Sequence, residues 1–193
     1  MCGRFNIIDD PLTQMIMEVV GGDVPWAVTT EYNIAPTQTV PVLRHSDEEG
    51  WDMPSMRWGL VPSWSPEPGT KYSMFNAKSE TLTTSRAYKE PFKRRRCVIP
   101  ASGYYEWKKD GSIKVPYYIE PVSEPGFAFA GLWDRWHRGD QIIESCTIVT
   151  AASPDPMKNI HHRIPVHLTV DQARTWVNQQ TESSRLQELL MPE

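Results

Sequence analysis

Between residues 40 and 168 the apolar residues fall in short runs, and no run keeps the three-to-four spacing of an amphipathic helix. The runs are "VPVLR", "SMRWGLVP", "RCVIP", "GYYEW", "VPYYIE", "FAFAGLW", "ESCTIVT" and "RIPVHL", each bounded by glycine, proline or charged residues. Short strands separated by turns, without regular intervening helices, favour antiparallel sheets that close toward a barrel or sandwich. The 17 prolines agree, because proline suits turns and edge strands. "KKDG", Lys108 to Gly111, reads as a hairpin turn. The segment "SWSPEPGTKY" (63–72) reads as a long exposed loop.

Helices are expected only toward the ends. In "DDPLTQMIMEVVGG", Asp10 is expected to cap, Pro11 suits the first turn, and Leu12, Met15, Ile16, Val19 and Val20 share one face. Gly21 and Gly22 end it. "TVDQARTWV" carries a capping box from Thr169 to Gln172 with Ala173, Trp176 and Val177 facing inward, and "SSRLQELL" makes a last short helix. The residues therefore read as an α+β chain of antiparallel sheets, closing toward a barrel or sandwich, in one domain of 193 residues.

Composition narrows the function. A net charge of −4 gives no global attraction for nucleic acid, so any such binding must be local. Three scattered cysteines build no disulfide framework, and no leader or membrane-length apolar run is present, which predicts a cytoplasmic protein. The 8 tryptophans serve as core or as stacking surfaces.

Four stretches carry chemistry. Removal of Met1 would leave Cys2 with a free α-amine beside its own thiol. In "FNAKSET", Asn76, Lys78 and Glu80 alternate and would share one face of an extended segment, either as a site or as a polar edge. In "ASGYYEW", Tyr104 and Glu106 share a face opposite Gly103, Tyr105 and Trp107; a carboxylate among rings is partly desolvated and suited to acid–base work, unless it points at solvent. In "NIHHRIPVHL", a proton-transfer role for one of His161, His162 and His167, beside Arg163, fits better than metal binding, since no HExxH or cysteine pattern accompanies them, unless the histidine is simply a satisfied loop residue. The cationic run Lys93 to Arg96, with Arg4, Arg57, Arg86 and Lys89, would track phosphates if it is not simply solvated; Trp58 and Trp64 would stack bases.

Taken together, "MCGRF", "YNIAPTQ", "RWGLVPSW", "FNAKSET", "ASGYYEWKK", "GLWDRW" and "HHRIPV" resemble, in order and spacing, the SOS response-associated peptidase family. That resemblance implies antiparallel sheets forming a barrel-like core with flanking helices, and covalent crosslinking to abasic sites in single-stranded DNA, shielding the site during replication and the DNA-damage response. It implies Cys2 as the crosslinking residue, through a thiazolidine, and Asn76 as the residue positioning the sugar. It implies Glu106 and His161 as the acid–base pair, and Arg4, Lys78, Arg86 and Trp64 as DNA contacts. No cofactor, metal or membrane is implied; the protein is expected as a monomer, with weak lyase and autopeptidase side reactions. Lys78 stands where the family commonly has arginine, and Ile164 where it has methionine. The Met-Cys-Gly start is also that of class II glutamine amidotransferases, an N-terminal-nucleophile alternative using Cys2. A non-catalytic single-strand-binding module is a third reading.

Overall fold

The computed structural model describes residues 2–69 and 74–191. In chain order the elements are β1 (Arg4–Ile7), α1 (Asp9–Val20), β2 (Glu31–Ile34), β3 (Thr39–Pro41), β4 (Arg44–Ser46), β5 (Gly50–Asp52), β6 (Ser55–Trp58), β7 (Asn76–Lys78) and α2 (Lys89–Arg94). There follow β8 (Arg96–Ala101), β9 (Gly103–Asp110), β10 (Ile113–Ile119), β11 (Phe127–Arg138), β12 (Gln141–Ala152), β13 (Arg163–Pro165), β14 (His167–Leu168), α3 (Val170–Val177) and α4 (Ser183–Glu188). Single 3₁₀ turns occupy Ser79–Thr81 and Met157–Asn159.

The expected α+β class holds, with a curled half-barrel sheet as its centre. The large sheet runs β14-β11-β12-β6-β3, with β8 joined to β11 and both β7 and β13 joined to β12. A smaller sheet has the order β10-β9-β1-β2. Most pairings are antiparallel, but β6 and β7 run parallel to β12. The core lies where β8, β11 and β12 are buried along most of their length, closed by the apolar faces of α1 and α3.

Local expectations hold unevenly. The capping box of α3 forms as expected, with Thr169 Oγ1 accepting from Gln172 N–H and Gln172 Oε1 accepting from Thr169 N–H. The cap of α1 does not: Ile8 occupies the N-cap and Asp10 lies inside the first turn. Ser102 Oγ accepts the Ile8 N–H at 2.7 Å and Thr30 Oγ1 accepts the Asp9 N–H at 3.1 Å, so distant hydroxyls replace a local cap. Lys108 to Asp110 belong to β9, and the hairpin turns instead on Gly111 and Ser112, with Gly111 at φ +58°. "VPVLR" splits into β3 and β4. Of the loop over 63–72, residues 70–72 lie outside the described residues.

Arg96 corrects the phosphate-tracking reading of the basic run. It is buried, and its guanidinium donates to the carbonyls of Trp176, Asn178, Phe92 and Lys93, stitching the C-terminal ends of α2 and α3 together. Burial lowers its pKa to about 10, so it stays charged at neutral pH. Arg95 pairs with the buried Asp134 at 3.2 Å. Arg96→Met should orphan the four carbonyls and cost about 3 kcal/mol or more, read from urea unfolding; a variant within ~0.5 kcal/mol of the unaltered protein would contradict that role.

Candidate active site

Cys2 lies just upstream of β1, the strand held between β2 and β9. Phe5 packs edge-on against the buried Trp58 at 5.0 Å, which anchors β1 in the core three residues beyond Cys2. Arg4 pairs with Tyr105, so the chain start runs toward Glu106, the next residue of β9. Cys2 is fully buried. Its thiol is pushed well above the ordinary cysteine range, first by burial and then by the Glu106 carboxylate.

Asn76 arrives from β7, which pairs with β12 at Ile148. Its Nδ2 donates to Cys2 O at 2.7 Å. Its Oδ1 is buried without a hydrogen-bond partner among the described residues, an acceptor free to meet a substrate hydroxyl. The expected alternation fails one step later: Ser79–Thr81 turns into a 3₁₀ helix, and Glu80 swings to Arg163 in a bidentate pair, with 2.9 Å for the Nη2–Oε2 contact. That pair holds the Glu80 carboxyl below the ordinary range. Arg163 also donates to Thr150 O, so one buried guanidinium ties β12 and β13 to the end of β7.

Glu106 is buried on the inward face of β9 beside Tyr104, as the alternation predicted. One of its carboxylate oxygens accepts the Trp107 N–H at 3.3 Å, and the other lies 3.9 Å from His161 Nδ1. His161 sits in the short segment between the second 3₁₀ turn and β13, where Arg163 N–H donates to Nδ1 at 3.0 Å. With Nδ1 accepting, the proton of the neutral ring lies on Nε2; in the other tautomer Nδ1 donates to Arg163 O, 3.2 Å away. Burial lowers the imidazole pKa, with Glu106 opposing it, and keeps the neutral form in favour. His162 stacks on the same ring, centroids 4.3 Å apart.

The four residues Cys2, Asn76, Glu106 and His161 therefore converge from four separate chain segments. The cationic and aromatic candidates are more dispersed. Arg86 lies over the Trp64 ring at 4.1 Å, and the Trp64 indole N–H donates back to Arg86 O, so these two form one exposed unit. Arg4 donates to Asn33 at 2.9 Å on the outward side of the small sheet, and Lys78 is exposed at the end of β7. Trp58 is core rather than a stacking surface: its indole N–H donates to Phe75 O at 2.9 Å.

Sequence reasoning missed one feature. Glu106 and His161 line an open cleft of about 770 Å³ whose walls also carry Lys108, Lys109, Lys114 and Lys158. The signal was "EWKKDG", in which the lysines were read as turn residues instead of strand residues beside Glu106. Among the described residues no cluster of three or more His, Cys, Asp or Glu could hold a metal ion, and no helix is long and apolar enough to cross a membrane.

Comparison with known proteins shows the family. The SOS response associated peptidase (SRAP) family model matches residues 1–193. The abasic site processing protein YoaM of Bacillus subtilis is 37% identical over 199 residues, covering 100% of this chain and 86% of the relative. The abasic site processing protein YedK of Escherichia coli is 32% identical over 194 residues, covering 98% and 85%. The crystal structure of a phage-related protein from Bordetella bronchiseptica superposes with a TM-score of 0.78 at 30% identity, over 98% of this chain and 87% of that one. By family match, identity and fold, this chain belongs to the SOS response associated peptidase family.

Proposed function

We infer that the protein processes abasic sites in single-stranded DNA by crosslinking to them through Cys2 once Met1 has been removed. The observation that carries this reading is the convergence on residue 2: Asn76 holds its carbonyl at 2.7 Å, and Glu106 and His161 face each other at 3.9 Å. The names of the curated relatives, abasic site processing proteins, support its abasic-site part.

The chemistry follows from the two nucleophiles of one residue. An abasic site is an aldehyde in equilibrium with its closed sugar. His161 donates a hydrogen bond from Nε2 toward the ring oxygen and assists opening, while Asn76 Oδ1 accepts from a sugar hydroxyl. The thiol is raised by burial and is a poor initial nucleophile, so the α-amine, with a reference pKa near ~7.7–8.0, attacks C1′ first. Glu106 takes the amine proton, water leaves, and an imine forms. The sulfur then adds to C1′ as its proton passes to the nitrogen, directly or through Glu106. The balance is aldehyde plus aminothiol giving thiazolidine plus water, and placement of both nucleophiles on one residue gives ring closure a high effective molarity. Diversion of the imine into β-elimination supplies a weak lyase side path. The family's peptidase name fits release of Met1 and needs no general protease.

Arg4, Lys78 and Arg86 hold phosphates, with Trp64 as a stacking surface. Lysine at position 78 holds its phosphate as a point charge rather than bidentately. For single strands each lost phosphate contact lowers the slope of log affinity against log salt by about 0.7. Arg86→Gln should weaken binding and flatten the slope by that amount; an unchanged slope would remove Arg86 from the interface.

The direct test is to mix the protein, freed of Met1, with an oligonucleotide bearing one abasic site and to run a denaturing gel after heating. A shifted band is expected, absent when the aldehyde is replaced by tetrahydrofuran. No band with the true abasic site contradicts the reading.

A further inference from the structure

The small sheet presents an outward face that the crosslinking chemistry does not use. Directly opposed residues of an antiparallel pair share a face. On that face Tyr105 stands opposite both Arg4 and Tyr118, Trp107 opposite Pro116, and Lys109 opposite Lys114. Tyr118 and Trp107 are 41% and 36% exposed, although large rings are ordinarily buried. The tyrosine rings are held in place. Tyr105 and Tyr118 lie 5.1 Å apart, the Tyr105 hydroxyl donates to Tyr32 O, and the Tyr118 hydroxyl bonds with the buried Asn6. Gly103 makes room for this: a Cβ there would fall 2.4 Å from the Tyr118 hydroxyl oxygen.

We propose that this face is a stacking platform for the unpaired bases on one side of the abasic site; the proposal rests on the single-stranded-DNA reading above. Fixed rings meet bases at little cost in rotamer entropy, and cations at both ends of the row, Arg4 at one and Lys109 with Lys114 at the other, suit a phosphate backbone. The acidic groups nearby, Glu31 and Glu120, lie at the far end from the lysines. The face is continuous with the candidate active site. Glu106 and Trp107 point to opposite faces of β9, but Trp107, Lys109 and Lys114 line the same cleft as Glu106 and His161. A strand whose abasic sugar sits at Glu106 therefore passes onto Trp107 and along the row. A protein partner would meet a surface with cations at both ends of its aromatic row, which favours the polyanion as occupant.

The test uses the whole protein and oligothymidylates carrying one tetrahydrofuran residue, with either the 5′ or the 3′ arm lengthened. Affinity of the unaltered protein should rise as one arm grows and not as the other grows. Trp107→Leu should remove most of that increment, about tenfold for one lost stacked base. Lys109→Gln/Lys114→Gln, both exposed and safe for folding, should flatten the salt slope by roughly 1.4, two single-strand contacts. Arg185→Gln, which removes one charge on α4 away from the platform, should alter neither. An increment that survives in both platform variants, or no arm dependence at all, overturns the platform. A protein that crosslinks to a true abasic site but shows either result loses this proposal alone; one that binds none of the oligonucleotides contradicts both readings.

Discussion

Cys2→Ala is expected to form no heat-stable adduct with an abasic oligonucleotide, yet to yield a covalent band when borohydride is present. Alanine is small enough for Met1 removal, so the α-amine remains and still reaches C1′. The imine then forms but no sulfur closes the ring, and borohydride traps it as a secondary amine. Without reductant the imine hydrolyses or leads to β-elimination, so strand cleavage should equal or exceed that of the unaltered protein. The glutamine amidotransferase alternative needs the sulfur and gives the amine no reason to engage an aldehyde. A plain binding module gives no trapped band. A full-strength heat-stable band from Cys2→Ala without reductant would assign the crosslink to another nucleophile.

Glu106→Gln carries the second large effect. The carboxylate is buried, 3.9 Å from His161 Nδ1, and close enough to Cys2 to push its thiol upward. Glutamine keeps the shape and can still accept the Trp107 N–H, but it cannot take and return a proton. Crosslink formation, or its reversal, should slow by roughly 10²–10⁴-fold if proton transfer limits the rate. Binding of a tetrahydrofuran oligonucleotide should be preserved, which separates chemistry from recognition. Crosslinking at the unaltered rate would reduce Glu106 to a structural hydrogen bonder.

Features set by neighbouring residues were legible in the sequence. The Thr169–Gln172 capping box, the Gly21 stop with φ +85°, and the inward alternation of Tyr104 and Glu106 each depend on a few adjacent side chains. Features set by distant partners were not. Asp10 is a good capping residue, but Ser102 and Thr30 had already met the N–H groups at the start of α1. Nothing in "FNAKSET" announces that β7 runs parallel to a strand some seventy residues later, nor that Glu80 leaves the row for Arg163. Arg96 reads like its two neighbours, and only the meeting of α2 and α3 turns it into a buried connector. The candidate site shows the same division. Its residue types were legible from a resemblance, while their convergence depends on β12, which positions Asn76 on β7 and, through β13, the segment carrying His161.

The central claim is that both nucleophiles of residue 2 are consumed in the adduct, and counting free thiols tests it most directly. The chain has three cysteines, Cys2, Cys97 and Cys146, and none forms a disulfide. An imine and a thiazolidine have the same mass, but only the imine leaves the Cys2 sulfur free to alkylate. The adduct should be purified, denatured and treated with iodoacetamide, then weighed beside the uncrosslinked protein. The expected result is three alkyl groups on the free protein and two on the adduct, with Cys2 the unmodified residue; three on the adduct would contradict the thiazolidine.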